Sequence, residues 1–200
     1  MGKKFSTKQQ NDIRQKLINI FEERLREGRP NKITIDNLVK EAGIAKGSFY
    51  HFFPSKEMLF VAIINQEQER ILKKAQKISK LGGTSEKEKL KKILFIIIKE
   101  IKTHPWLQNL SGPEFEQMIQ RLPQNLQAKL LNEDKLALKR LLKDLVLSPK
   151  LPLDDLLVSI EIILASASHA EDFGPHYDRA VKTMINGLVD TFFDERKDYE

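Results

Sequence analysis

The sequence predicts an all-α protein, and three observations support this. Apolar residues recur every three to four positions through most of the 200 residues, as they do in amphipathic helices. Segments with that spacing end at Gly or Pro, for example at residues 27–30 and at Gly82-Gly83. The apolar run 93–98 is rich in isoleucine, but its Lys- and Glu-rich flanks and the length of the segment favour a helix over a strand.

The first sixty residues predict three helices. The first covers residues 7–27 and ends at Glu-Gly-Arg-Pro. Thr34 caps a short second helix, which Gly43 ends in the left-handed conformation. A third, also short, is predicted over residues 45–52. Two short helices joined by a turn that begins with Gly, followed by an aromatic run, are typical of a DNA-binding helix-turn-helix.

Residues 33–60 resemble, without a gap, the N-terminal signature of the TetR family of bacterial transcriptional regulators. That signature has a Thr, a segment like A-G-x-x-K-G-x-x-Y, an aromatic and His run ending in Phe, and a Lys three residues later. Here these are Thr34, residues 42–50, His51-Phe52-Phe53 and Lys56. The resemblance implies a helix-turn-helix DNA-binding domain over residues 1–55 and a helical ligand-binding and dimerisation domain over residues 56–200.

Two positions depart from the family pattern. Ala45 stands where many members have a Ser or Thr cap, so the recognition helix lacks a side-chain cap that is typically worth about 1 kcal/mol. Phe52 stands where the family often has His, so one phosphate contact that the resemblance would imply is not expected here.

Basic residues are concentrated in the predicted DNA-binding part. Residues 1–60 contain 12 Lys/Arg and 7 Asp/Glu, whereas residues 61–200 contain 22 and 21. Most of the net charge of +6 therefore lies beside the helix-turn-helix, as binding to a polyanion requires. The sequence has no cysteine, no stretch apolar enough to span a bilayer and no signal-peptide pattern at its start, so we expect a cytoplasmic protein without disulfides.

The remaining sequence predicts helices separated by Gly- and Pro-containing breaks. Ser55 caps a long helix that ends near Leu81 and joins the two domains, and another helix follows over residues 85–103. Residues 104–123 contain three prolines and a glycine, and they form a candidate lid. Three further helices are predicted over residues 124–147, 153–170 and 176–195.

Candidate DNA contacts lie on the helix-turn-helix and at the start of the next helix. The residues expected to face base edges in the major groove are Lys46, Gly47, Ser48 and Phe49. The residues expected to hold phosphates are Thr34, Tyr50, His51 and Lys56. Structural roles stay open for some of them, since Thr34 is a cap in any case, Phe49 can be part of the core, and the Tyr50 ring can pack on the first helix.

A small-molecule site is expected around the interrupted segment. Its bulky apolar side chains favour a cavity for an apolar or amphipathic molecule, although each of them singly can also be a core filler. The expected apolar lining is Phe95, Ile98, Trp106, Phe115, Met118 and Ile119. The expected polar anchors are His104 and Gln108.

The last two helices carry apolar stripes that exceed what one small core should need. By resemblance to the family, these helices from two subunits would form a four-helix homodimer interface; the alternative is a core within one chain. The residues expected at the interface are Leu156, Ile160, Ile163, Ala167, Val181, Ile185, Leu188 and Phe192.

The sequence contains no recognised catalytic motif, and we predict no enzymatic activity and no cofactor. His169, Glu171, Asp172, His176 and Asp178 could hold a divalent ion, but helix caps and solvated loop charges explain them more simply. No metal is therefore predicted.

The resemblance implies a ligand-responsive transcriptional regulator. Its simplest form is a repressor that binds palindromic operator DNA as a homodimer and is released by a small apolar or amphipathic molecule. Two alternatives stay open. A constitutive DNA-binding protein would have a filled core instead of a cavity, and a helical enzyme would need a polar catalytic cluster.

Overall fold

A computed structural model describes residues 6–26, 32–108 and 113–194. All regular structure in these ranges is helical, which confirms the predicted all-α class. None of the described helices is both long and apolar enough to cross a membrane.

The N-terminal helices follow the predicted order. They are α1 (Thr7–Arg26), α2 (Ile35–Ala42) and α3 (Lys46–Phe52). The side chain of Thr34 accepts a hydrogen bond from the Asn37 amide at 3.2 Å, so it caps α2 as predicted. Gly43 ends α2 with φ +73°, a conformation that favours glycine.

Seven further helices follow within the described ranges, and two short 3₁₀ turns, Ser166–His169 and Gly174–His176, lie between the last two of them. The helices are α4 (Lys56–Ser79), α5 (Glu86–Thr103), α6 (Pro105–Gln108), α7 (Pro113–Gln120), α8 (Gln124–Asp144), α9 (Leu153–Ala165) and α10 (Tyr177–Phe192). In the described part of the interrupted segment, α6 and α7 are short helices that each begin at a proline, because proline is tolerated in the first turn of a helix but not in its interior.

The chain divides into two compact units. The first contains residues 1–68 and 109–127, and the second contains residues 69–108 and 128–200. The boundary predicted at residue 55 is a functional one: it separates DNA binding from effector binding and dimerisation. It stays a prediction.

The first unit has an apolar core in which α2 packs against both α1 and α3. Its side chains come from the helical faces that the sequence periodicity predicts. The fully buried ones include Leu17, Phe21, Leu25, Leu38, Phe49, Phe53, Leu59 and Phe60. This core fixes the two helices of the helix-turn-helix on α1.

The second unit has one continuous apolar core, in which α10 packs on α5 and α9. Leu138 and Leu142 of α8, and Leu145 just after it, belong to the same core. This core corrects the interface prediction. Seven of the eight expected interface residues are buried within the single chain: Leu156, Ile160, Ile163, Ala167, Val181, Ile185 and Phe192. Leu188 is half-buried against the same core. The stripes are not surplus, since they pack on each other and on α5 within the single chain.

A strained residue follows the end of α8. Val146 has φ +51° and is 66% exposed. Its amide donates to the carbonyl of Lys143 at 3.0 Å, and the Leu147 amide donates to that of Leu142 at 2.9 Å. These bonds close the helix with a left-handed residue, a place where Gly is common and a β-branched side chain is rare.

Candidate nucleic-acid interface

The N-terminal end of α3 is open to solvent. Lys46 and Gly47 are exposed, and Ser48 is half-buried. Ala45 makes no side-chain hydrogen bond to the first turn, as its sequence predicts. The end of α3 thus presents a cation, a hydroxyl and bare backbone, which are the groups that a recognition helix offers to base edges.

Lys46 is engaged by a neighbouring carboxylate. Its Nζ lies 2.9 Å from Oδ1 of Asp36 in the first turn of α2. The hydrogen bond to Asp36 raises the pKa of Lys46 above its ordinary value, so the side chain stays cationic. The sequence analysis missed this pair, because ten residues and a turn separate its members and no helical spacing links them.

Three of the four expected phosphate ligands lie around one open depression of about 350 Å³. These three are Thr34, Tyr50 and Lys56. Ser55 and Glu57, at the start of α4, also line the depression. The Ser55 hydroxyl accepts from the Met58 amide at 3.3 Å and so caps α4. A capped helix start, two hydroxyl groups and an ammonium group give this depression the donors that an anionic oxygen needs.

Lys56 also has a structural role. Its Nζ is half-buried and donates to the carbonyl oxygen of Ile33 at 3.0 Å, which ties the start of α4 to the segment before α2. Burial lowers the pKa of Lys56, and the nearby charge of Glu57 opposes this shift.

Phe49 is corrected from a base-reading residue to a core residue. Its side chain is fully buried and stacks edge-on with Tyr50 and tilted with Phe53, at centroid distances of 5.5 and 6.1 Å. Helical geometry explains the difference, because Phe49 lies on the side of α3 that faces the core. Tyr50, one residue later, is 51% exposed, and His51 is exposed as well.

Two cations of α1 donate hydrogen bonds to the C-terminal ends of α2 and α3. Lys16 donates to the carbonyl of Ala42 at the end of α2, at 3.0 Å. Arg14 donates to the carbonyl of Phe52 at the end of α3, at 3.3 Å, and its guanidinium lies 4.4 Å from the Phe53 ring centroid. The sequence shows basic residues on the polar face of α1, but not which helix ends they reach.

The expected ligand-binding residues belong to both compact units. Ile98 and Trp106 are buried in the second unit, and Phe95 and His104 are half-buried there. Phe115 and Met118 are buried in the first unit, where Ile119 is half-buried, and the Gln108 side chain lies outside the described part of the structure. The ligand-binding role of these residues stays a prediction.

Two polar features accompany this set in the second unit. The indole Nε1 of Trp106 is buried and finds no hydrogen-bond acceptor among the described residues. His104 Nδ1 lies 2.9 Å from the carbonyl oxygen of Glu100. Burial alone would raise the pKa of Glu100, but hydrogen bonds from Lys74 and Arg70 outweigh it, and the pKa is lowered.

The residues weighed as metal ligands make other contacts. His169 Nδ1 lies 3.1 Å from Oδ2 of Asp172, His176 Nδ1 lies 3.3 Å from Arg179, and Asp178 pairs with Lys102. Within the described ranges, no three of the five candidate side chains bring ligand atoms within 4.8 Å of one another.

Comparison with known sequences gives matches to part of the chain. Residues 30–63 match the family model described as bacterial regulatory proteins, tetR family. A curated relative, the uncharacterized HTH-type transcriptional regulator YuxN of Bacillus subtilis (strain 168), is 31% identical over 74 residues, or 37% of this chain. The match spans 25% of that relative's own length.

Comparison with solved structures covers nearly the whole chain. The fatty acid degradation regulator FadR of Bacillus halodurans has a TM-score of 0.67 at 17% identity, covering 94% of this chain and 97% of the other. FadR of B. subtilis, solved with stearoyl-CoA, has 0.67 at 15% identity, covering 89% and 98%. A TetR transcription regulator of Haloarcula marismortui has 0.68 at 14% identity, covering 92% and 100%. These likenesses are of fold.

Proposed function

The chain belongs to the TetR family of bacterial regulatory proteins, and from that premise we propose that it is a transcriptional repressor controlled by a small amphipathic molecule. The family assignment confirms the prediction of a transcriptional regulator rather than an enzyme. Operator binding as a homodimer, repression and release by an effector are the proposed parts.

The observation that carries the proposal is the arrangement of donors around the helix-turn-helix. Lys46, Gly47 and Ser48 are presented at the start of α3, and the depression formed by Thr34, Tyr50 and Lys56 lies in the same unit. We assign base readout to Lys46 and Ser48, and phosphate contacts to the residues of the depression and to His51. Contacts to phosphates fix the register on DNA, and contacts to base edges give specificity.

A homodimer is proposed through the exposed faces of α9 and α10 rather than through their buried stripes. Val158 and Ile162 are one turn apart on α9 and are 52% and 62% exposed. Met184 on α10 is 47% exposed. A second copy of the chain would cover these side chains and would place two recognition helices on the half-sites of a palindrome.

Gly187 supports close approach at this face. It lies inside α10, where glycine costs about 1 kcal/mol relative to alanine. An added Cβ would meet nothing within 4 Å, so the packing of the described chain gives no reason for a glycine there. Contact with a partner helix would give one, since small residues let helices approach closely.

An amphipathic effector is proposed for the second unit. The supporting observation is the Trp106 N–H, which has no acceptor among the described residues. A buried donor without an acceptor costs about 1–3 kcal/mol, and a polar atom of a ligand would relieve that cost. Two of the compared structures are named as fatty-acid or FadR regulators, and one holds stearoyl-CoA. Long-chain fatty acids and acyl-CoA thioesters are therefore the first molecules to test.

A constitutive DNA-binding protein is the second candidate, and the tight burial of Ile98 and Trp106 favours it. The two candidates differ in one measurable respect. The effector-controlled protein releases its operator when a ligand binds, whereas the constitutive protein binds DNA equally with and without candidate ligands.

The test begins with selection of binding sites from random-sequence duplex DNA by the full chain. We expect an enriched inverted repeat whose half-sites lie about one helical turn, or a multiple of it, apart. Stearoyl-CoA and free fatty acids are then titrated while the fluorescence of the single tryptophan, Trp106, and operator affinity are followed together. A ligand that changes the fluorescence but not the affinity contradicts effector control.

A further inference from the structure

The ion pair between Asp36 and Lys46 joins the two helices of the helix-turn-helix at their first turns. Lys46 Nζ lies 2.9 Å from Oδ1 and 3.0 Å from Oδ2 of Asp36, so it contacts both carboxylate oxygens. The two side chains are 55% and 68% exposed. Exposed ion pairs add little to stability, so the fold alone gives little reason for this one.

The pair presents an ammonium donor beside a carboxylate acceptor. In the major groove a G·C pair offers the complementary pattern, with acceptors at guanine O6 and N7 and a donor at the cytosine N4 amino group. Lysine is a common partner of the guanine acceptors, and aspartate accepts from cytosine N4. One base pair could therefore satisfy both charged groups.

The carboxylate also penalises other sequences. Where no amino group faces Asp36, its negative charge lies close to a polyanion without a donor. The ion pair with Asp36 also prevents Lys46 from binding the DNA phosphates, which an unpaired ammonium group would contact. Such a repulsive element lowers binding to wrong sites and so contributes to specificity.

We propose that Asp36 is a specificity-determining residue, which acts with Lys46 as one unit to read a G·C pair and to weaken binding to DNA that lacks it. This rests on the proposed DNA-binding function. It adds to that function a base preference and a second residue that reads it.

The first measurement is the affinity of the full chain for random-sequence duplex DNA over a series of KCl concentrations. Asp36→Asn should bind this DNA about fivefold more tightly, and its salt slope should steepen by about 0.9, the value for one additional phosphate contact. In a Lys46→Met background Asp36→Asn should have a much smaller effect, because no cation is released.

Glu41→Gln is the matched control. Glu41 is also exposed on α2, and it pairs with Arg24 at 3.0 Å instead of with Lys46. The substitution Glu41→Gln removes the same charge from the same helix. Its effect on DNA affinity should therefore be equal whether position 46 is Lys or Met. If Asp36→Asn behaves in the same way in both backgrounds, the coupling to Lys46 does not exist and the proposal is wrong.

The second measurement is the base preference selected from random duplexes. A G·C preference at one position of each half-site should be present in the unmodified chain and lost in both Asp36→Asn and Lys46→Met. The exchanged variant Asp36→Lys/Lys46→Asp keeps the ion pair but reverses donor and acceptor, so it should select a different base pair there. An unchanged preference in the exchanged variant would show that the pair is structural only.

Failure of the proposed function would look different. An unmodified chain that enriches no sequence, and whose DNA affinity does not depend on salt, would contradict DNA binding itself. Circular dichroism and melting temperature verify that all variants are folded, which the exposure of Asp36 and Lys46 leads us to expect.

Discussion

The Nζ of Lys16 on α1 donates a hydrogen bond to the carbonyl oxygen of Ala42, the last residue of α2, at 3.0 Å. Arg14 does the same for Phe52 at the end of α3. A cation at a helix C-terminus satisfies a carbonyl that has no partner within the helix and interacts favourably with the helix dipole. The orientation of both DNA-binding helices thus depends on α1.

Lys16→Met should lower the free energy of unfolding by about 1–2 kcal/mol, because it removes a charged hydrogen bond and a dipole interaction at a partly buried site. Urea denaturation measures this difference. Lys8→Met, an exposed position on the same helix, is the control and should change stability by less than about 0.5 kcal/mol. Equal effects of the two substitutions would contradict the capping role of Lys16.

Lys56→Ala should weaken binding to specific and random DNA alike and should reduce the salt slope by about 0.9, the value for one lost phosphate contact. The physical reason is the position of Lys56 beside Thr34 and Tyr50 in the open depression. Lys40→Ala is the control, because Lys40 is exposed on α2 but does not line this depression. A loss of preference at a single base position would instead make Lys56 a base-reading residue.

Glu100→Gln should destabilise the protein in a pH-dependent way. Lys74 and Arg70 hold the pKa of this carboxyl below its ordinary 4.5, so its stabilising contribution is present above that value and is lost as pH falls through the folded-state pKa. We expect a loss on the order of 2 kcal/mol at pH 7, since removing one partner leaves partly buried cations uncompensated. Unfolding curves of both proteins from pH 7 to pH 3 should converge; a constant difference would refute this.

Local features of the fold could be predicted from the sequence. The Thr34 cap, the left-handed Gly43 and the start of α4 after Ser55 each depend on residues within a few positions of one another. The cation, glycine and hydroxyl at the start of α3 were predicted for the same reason.

Contacts between distant residues could not be predicted in the same way. Periodicity shows that Val181 and Ile185 lie on an apolar face, but it does not show that α5 and α9 of the same chain cover that face. For this reason a core was predicted to be an interface. The partners of Lys16 and Lys46 were missed because their spacing in the chain carries no signal.

Val146→Gly should raise the free energy of unfolding by about 0.5–1 kcal/mol. Glycine adopts φ +51° without the steric cost that a β-branched residue has there, and the exposed valine side chain loses few contacts. Thermal unfolding measures the change. Val146→Ala keeps a Cβ and therefore most of the strain, so it should be close to the unmodified protein. If Gly and Ala have equal effects, strain at this position is not the cause.

Gly187→Ala should have opposite effects on the helix and on the dimer. In the separate chain, alanine stabilises the middle of α10 by about 0.5–1 kcal/mol, and its Cβ meets nothing within 4 Å. At a close helix contact between two copies, the same Cβ would displace the partner helix. The dimer dissociation constant should therefore increase.

Sedimentation equilibrium over a range of concentrations gives the dimer dissociation constant for this comparison. Lys182→Ala, exposed on another side of α10, should leave that constant unchanged.

Ile162→Glu, which places a charge on the exposed face of α9, should separate the subunits and abolish binding to a palindromic operator. Circular dichroism should stay unchanged, because the side chain is not part of the core. A dimer that tolerates both Gly187→Ala and Ile162→Glu would require a different interface, and a monomeric unmodified protein at micromolar concentration would contradict the homodimer itself.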